Sequence, residues 1–341
     1  MELFMNFLEK IAEGSLPFLH FLQGLRNPVT DWFFETVTHL GEELPFLVLA
    51  VLFFWCINKR EGYYILICGL IGTLCNQVAK LACRIPRPWV LDPTLEVVGD
   101  AKIEATGYSF PSGHTQNIAS TFGSIAAYNR KSRWVTVVSV IIIVLVAFSR
   151  MYLGVHTPLD VGVSLLFALL LVLGLRPVFS SDESFSRYMP FVVGGSVMLS
   201  VAFLIYAALS GGDSTLDPAN YESALKNACT LVGCTAGLIL VYTVDEKYIR
   251  FETNAVWYAQ VIKAVLGFAG LLLIKEGLRA PLEFICFGNI WVARAIRYFT
   301  VVAFAGAVWP LTFKWFSKLR IGFMDRFTEK LTSIFKKQSA D

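Results

Sequence analysis

Nine runs of mostly apolar residues constrain this chain more than any other feature: roughly 44–58, 63–83, 113–129, 134–150, 158–175, 189–210, 228–244, 255–274 and 290–313. A helix crosses a bilayer with ~20 apolar residues, because hydrocarbon satisfies no free backbone N–H or C=O. The runs therefore predict an all-α fold, a polytopic transmembrane helical bundle of about nine spans. Composition agrees, with 55% hydrophobic residues, 16% charged and a mean hydropathy of +0.59. Soluble domains run to ~25% charged residues. So apolar a chain is not intrinsically disordered. Lys and Arg number 29 against 26 acidic residues, a net +3, which is too even a balance for a nucleic-acid partner. The seven cysteines mostly fall inside apolar runs and form no C-x-x-C pair, so they read as buried thiols rather than a disulfide or zinc framework.

Basic residues orient the bundle. Lys59–Arg60, Arg130–Lys131–Arg133, Arg176, Lys247–Arg250 and Lys314–Lys318–Arg320 fall on alternate connections. The positive-inside rule makes these cytoplasmic, with the N-terminus outside and the C-terminus inside. In a bacterium the membrane would be the plasma membrane. Lys80, Arg84, Arg87 and Arg150 lie on the other side, where topology gives cations no role. Residues 1–27 show no basic start and no small-residue cleavage site, so no signal peptide is expected there. Two amphipathic pieces flank the runs and are expected to lie at the interface. One carries Leu3, Phe4, Phe7, Leu8, Ile11, Phe18, Leu19, Leu22 and Leu25; the other carries Ile321, Met324, Phe327, Leu331, Ile334 and Phe335. The implied organisation is an interfacial N-terminal helix over 1–30, a core over 31–176, additional transmembrane helices over 177–316 and a basic amphipathic tail over 317–341.

Three short motifs carry the chemistry. In KLACRIPRP, Lys80 and Arg87 are seven residues apart, on one helical face that Pro86 and Pro88 terminate. Such cations either snorkel to headgroups or bind an anion. Pro111-Ser112-Gly113-His114 opens an apolar run. A helix start offers free N–H groups and a positive dipole end; Gly113 permits close backbone approach, and Ser112 can cap the helix and donate to an oxyanion. In the third motif, Ser149-Arg150 precedes His156 and Asp160, which share a face four residues apart at a helix start that Thr157 and Pro158 mark. A carboxylate beside a histidine fixes its tautomer and raises its basicity. By the charge rule all three motifs lie on one membrane face. Three cations, two of the chain's four histidines, a helix N-terminus and one carboxylate there describe a site for a phosphate-like dianion.

K-x6-R-P, P-S-G-H and S-R-x5-H-x3-D resemble the signature of the type-2 phosphatidic acid phosphatase and vanadium haloperoxidase superfamily, matching at every motif position over residues 80–160. The resemblance implies hydrolysis of phosphate esters through a phosphohistidine. In that scheme His156 is the nucleophile, Asp160 orients it, and His114 is the acid and then the base. Lys80, Arg87, Ser112, Gly113 and Arg150 hold the phosphate oxygens. It implies neither a metal nor another cofactor. The superfamily's vanadate-dependent halide oxidants are soluble, unlike a chain with these spans.

The motifs leave the substrate open. Nine spans, an outside N-terminus and the run Arg87-Pro88-Trp89-Val90-Leu91-Asp92 are similar to the glucose-6-phosphatase layout, whereas the PSGHTQ run and short loops look like bacterial lipid phosphatases. The expectation is a membrane phosphatase for a phosphorylated lipid, either a phosphatidate or an undecaprenyl diphosphate, with no obligate protein partner. A sugar phosphatase and a transporter with a degenerate core are the alternatives. Loop 89–110, with Asp92, Glu96, Asp100, Glu104 and Tyr108, is either a selectivity rim or plain solvated loop. Arg294 and Arg297 share a face of the last span and either snorkel or, with Tyr108, meet the substrate headgroup. Lys263 lies mid-span, and the sequence assigns it no partner.

Overall fold

The protein's structure, a computed structural model, describes residues 2–326, and their side chains other than those of 2–4 and 104. The described residues contain helices and no strands. In chain order the helices are α1 (Glu2–Gly14), α2 (Leu16–Gly24), α3 (Pro28–Thr38), α4 (Glu43–Leu52), α5 (Lys59–Cys83), α6 (Pro88–Leu91), α7 (Ala101–Glu104) and α8 (Gly113–Tyr128). There follow α9 (Arg133–Tyr152), α10 (Pro158–Leu175), α11 (Asp182–Leu209), α12 (Pro218–Val244), α13 (Trp257–Gly277), α14 (Arg279–Ile285), α15 (Ile290–Ala303) and α16 (Phe313–Lys318). Most long helices open on a side-chain cap that accepts an otherwise orphaned N–H: Asn58 on α5, Ser112 on α8, Ser132 on α9, Thr157 on α10, Ser181 on α11 and Asp217 on α12.

All nine apolar runs are helical, but the count of spans is lower than nine. Seven helical segments are long and apolar enough to cross a membrane, or eight if α3 and α4, bent 52° apart, form one span. The difference lies in α4, which qualifies only when joined to α3, and in α8. Its sixteen residues reach about 24 Å at ~1.5 Å per residue, short of a ~30 Å core. Its start is a cap buried below the surface, and its far end reaches the basic connection at Arg130.

The N-terminal piece divides its faces as an amphipathic helix should, though its buried face meets protein. Leu8 and Ala12 pack on Ile85 and Phe110, and Leu19 and Leu22 on Leu95. Phe7, Phe18, Phe21 and Leu25 point outward. The same arm pins loop 89–110: His20 Nε2 meets Asp92 at 2.8 Å, and Arg26 donates to the Glu96 carbonyl at 2.8 Å. Of the C-terminal amphipathic piece, Phe327, Leu331, Ile334 and Phe335 lie outside the described residues.

The added C-terminal helices dock on the core. Ala224, Ala228 and Leu231 of α12 pack against Leu74 and Leu81 of α5, and Arg84 donates to Asp213 at 2.6 Å. Arg84 is thus a docking residue. Lys263 also acquires a structural partner. The chain after α4 widens into a π-helical turn over Phe53–Ile57, and Lys263 donates to the freed Trp55 carbonyl at 2.7 Å beneath the Phe313 ring, 4.3 Å away. Gln260 donates to the Cys56 carbonyl at 3.1 Å. Two α13 side chains therefore cap a helix end of the core.

Candidate active site

One end of the α5–α8–α9–α10 bundle gathers the three motifs. Lys80, in the last turn of α5, donates to the carbonyls of Tyr108 at 2.5 Å and Ser109 at 3.4 Å. Arg87 donates to the carbonyls of Gly107, Thr106 and Val155 at 3.1, 2.8 and 3.1 Å. Five carbonyls from two chain segments, 106–109 and Val155, are thereby tied to two cations. Arg150, fully buried at the end of α9, donates to Thr38 Oγ1 at 2.5 Å.

His156 lies on the connection between α9 and α10, 2% exposed. Arg87 Nη1 approaches its Nε2 at 3.0 Å. A guanidinium only donates, so Nε2 must accept, and the proton of a neutral ring sits on Nδ1. Nδ1 faces Asp160 Oδ2 at 3.3 Å. The same Oδ2 accepts from Ser109 Oγ at 2.6 Å and the Thr157 N–H at 2.8 Å. This fixes the ring and leaves the Nε2 lone pair directed at the cations. Burial first, then Arg87, Lys80 and Arg150, hold the His156 imidazolium well below its ordinary pKa, so the ring is neutral near pH 7.

At the start of α8, Ser112 is fully buried and accepts from the Thr115 N–H. A Cβ added to Gly113 would meet only Asn76 Oδ1, 3.9 Å away, so its backbone faces open space. His114 Nε2 is buried and meets no hydrogen-bond partner among the described residues. The turn over 39–41 closes on this helix start so tightly that a Cβ on Gly41 would come within 3.1 Å of the His114 carbonyl. His114 and His156 have the same three cations among their nearest charges.

Eight expected residues therefore converge: Lys80, Arg87, Ser112, Gly113, His114, Arg150, His156 and Asp160. Arg294 and Arg297 do not join them. Arg294 donates to Thr230 on α12 at 2.7 Å, and both guanidiniums lie over the Tyr298 ring. Tyr108 contributes its carbonyl, while its ring packs beside Leu81 and Phe203. Sequence reasoning missed Ser109, Asn76 and Thr38. Asn76 was findable, lying one turn before Lys80 on a membrane-spanning helix; Ser109 and Thr38 come from loop and helix ends with no pattern. No group of three or more His, Cys, Asp or Glu side chains suited to a metal occurs among the described residues. An apolar cleft of about 330 Å³ lined by Gly72, Cys75, Gln116, Phe167, Leu170 and Leu171 opens about one helical turn from Gly113. Leu170, 60% exposed, lies at its outer edge.

Comparison with known proteins bears on this geometry. The PAP2 superfamily profile matches residues 60–181, and a profile described as the transmembrane extension of PAP2 superfamily phosphatases matches 229–320. A probable sphingosine-1-phosphate phosphatase of Dictyostelium discoideum is 29% identical over 183 residues, covering 49% of this chain and 43% of that protein. An undecaprenyl-diphosphatase of Sulfolobus acidocaldarius is 33% identical over 115 residues, covering 33% and 53% respectively. The chain thus spans about half the length of these curated relatives. A crystal structure of a transmembrane PAP2-type phosphatidylglycerolphosphate phosphatase from Bacillus subtilis is 26% identical, covering 51% of this chain and 91% of that one, with a TM-score of 0.42.

Proposed function

We propose, from the premise that residues 60–181 make this chain a member of the PAP2 superfamily, that it is an integral-membrane phosphatase acting on a phosphorylated lipid. The observation that carries the reading is the buried Arg87–His156–Asp160 chain, with Nε2 of the histidine as its acceptor end. A phosphoryl group drawn to Lys80, Arg87, Arg150 and the Gly113 amide displaces the Arg87–Nε2 contact and meets the lone pair in line. His156 Nε2 then attacks phosphorus. The bond to the leaving oxygen breaks, and His114, which the bound phosphate's negative charge favours in its protonated form against the three cations, gives that oxygen a proton. In the second step His114 takes a proton from water, the water oxygen attacks phosphorus, and the P–N bond breaks to restore His156. Phosphoryl transfer needs positioning and charge neutralisation above all, and fixed buried cations supply both.

The apolar cleft at Gln116, a turn along α8 from Gly113, supports a substrate with acyl or prenyl chains, since its lining offers a hydroxylated sugar little but Gln116. The relatives named above act on lipid phosphates, and a phosphatidate or polyprenyl diphosphate is the proposed class. By the positive-inside rule the cup opens on the non-cytosolic side, with the N-terminus outside and the C-terminus inside.

The test is phosphate release from a panel of phosphatidate, sphingoid-base phosphate, polyprenyl diphosphate and glucose 6-phosphate, with wild type and His156→Ala in detergent, with and without chelator. Turnover of a lipid by wild type alone, indifferent to chelator, is expected. Activity retained by His156→Ala overturns the mechanism. Activity on glucose 6-phosphate alone overturns the lipid assignment.

A further inference from the structure

The same helices build a second cationic feature at their other ends. A pocket of about 170 Å³ is lined by Arg60 and Tyr64 of α5, Tyr128 of α8, Arg130 just after it, and Arg176 and Ser180 just after α10. At ~30 Å³ per liquid water it has room for about five or six waters, enough for a phosphoryl group. It lies far from the cup. Along α5, Arg60 and Lys80 are separated by about 30 Å at ~1.5 Å per residue, and α8 and α10 impose similar distances.

Three guanidiniums line one concavity, and among the described residues a single carboxylate, Asp182, pairs with one of them, Arg60. Asp182 is itself almost fully exposed. The Arg130 and Arg176 side chains make no hydrogen bond or ion pair with any described residue, and Arg176 is half-buried. Simple snorkelling would spread such cations outward to the interface; here they face a shared pocket with tyrosine and serine hydroxyls. The floor is rigid: Tyr64, fully buried, donates to the Val172 carbonyl at 2.5 Å and stacks on Phe179, ring centroids 4.7 Å apart.

We infer that this pocket binds a phosphate-type anion, either free inorganic phosphate or the headgroup phosphate of an acidic lipid in the leaflet opposite the cup. Forked donors from three segments suit tetrahedral oxygens. An anion held there ties together the far ends of α5, α8 and α10. Those three helices carry Lys80, Ser112–His114 and Asp160 at their near ends, so occupancy stiffens the frame of the cup without touching it.

The experiment compares wild type, Arg130→Gln/Arg176→Gln and the cup variant Lys80→Met by thermal unfolding, with no substrate turned over. One arm titrates inorganic phosphate in neutral detergent; the other uses nanodiscs of phosphatidylcholine with increasing phosphatidylglycerol. Wild type and Lys80→Met should share an anion-dependent rise in Tm; the double variant should lose that shared component, with its apparent affinity weakened at least about tenfold, and keep only what its intact cup contributes. Its Tm without anion should match wild type, because Arg130 is exposed and neither side chain packs in the core. Loss in the phosphate arm identifies free phosphate as a ligand, and loss in the nanodisc arm alone identifies the lipid headgroup. Identical responses of wild type and the double variant in both arms overturn the inference. Because Lys80→Met is read by binding alone, failure of the hydrolase reading leaves this result standing.

Discussion

Lys80 and Lys263 are two buried lysines in membrane helices, 8% and 1% exposed, and each donates to two backbone carbonyls. By local geometry they are alike. Their neighbourhoods differ. Lys80 shares its surroundings with Arg87, Arg150, two imidazoles and Asp160. Lys263 sits beneath Phe313 and pairs with no carboxylate among the described residues; its carbonyls are Trp55's, in the π-turn it caps, and Thr253's, just before α13. A buried cation in a bilayer is therefore not by itself a mark of function; convergence with groups that can move a proton is.

Exchanging each lysine for methionine tests that comparison most severely. Lys80→Met removes a fixed charge from the developing phosphorane, and kcat/KM should fall about 10²–10³-fold, far beyond what the loss of its bonds to the Tyr108 and Ser109 carbonyls takes from Tm. Lys263→Met should leave kcat within about twofold. It strands the Trp55 carbonyl, so stability should drop by about 1–3 kcal/mol, read as a lower Tm. If Lys263→Met removes activity while preserving Tm, the division between cup and cap is wrong.

The sequence already held most of one half of this comparison. Each motif fixes a local geometry: a proline-terminated helix face, a capped helix start, and a His–Asp pair one turn apart. Those are short-range properties, which spacing reports. What it did not report is what feeds the cations. Lys80 and Arg87 are held by carbonyls of residues 106–109, and backbone atoms leave no trace in residue type. The partner of Lys263 was hidden for the same reason. The count of about nine spans was only approximate, because hydropathy measures apolar length and does not see that α8 begins at a cap buried below the surface.

A gentler probe asks what the carboxylate adds. Asp160 Oδ2 accepts from Ser109 Oγ, the Thr157 N–H and His156 Nδ1 together. Asp160→Asn can keep an oxygen there, because two of those donors accept no substitute. The tautomer survives and only the charge is lost. The variant should lose about 10²-fold in kcat, the lower end of what a positioned acid–base group contributes, while Asp160→Ala loses more. Equal losses in the two variants would mean that the charge, rather than the acceptor oxygen, is what matters.

The smallest expected effect is on pH dependence, and its sign follows from the cup's charges. A nucleophilic His156 must be unprotonated. An ordinary histidine half-protonates near pH ~6.5. Burial and the adjacent Arg87, Lys80 and Arg150 all disfavour its protonated form, so the ring keeps its lone pair to more acidic conditions. The acidic limb of kcat/KM, which reports the free enzyme, should therefore fall below pH ~6.5. Arg87→Gln removes the largest of the three charges acting on the ring, and its residual activity should show that limb shifted toward higher pH. A limb that stays in place in Arg87→Gln would show that a group other than His156 governs it. Lys263→Met, remote from the imidazole, should leave the limb where wild type has it, which separates the two lysines again by a measurement that stability does not enter.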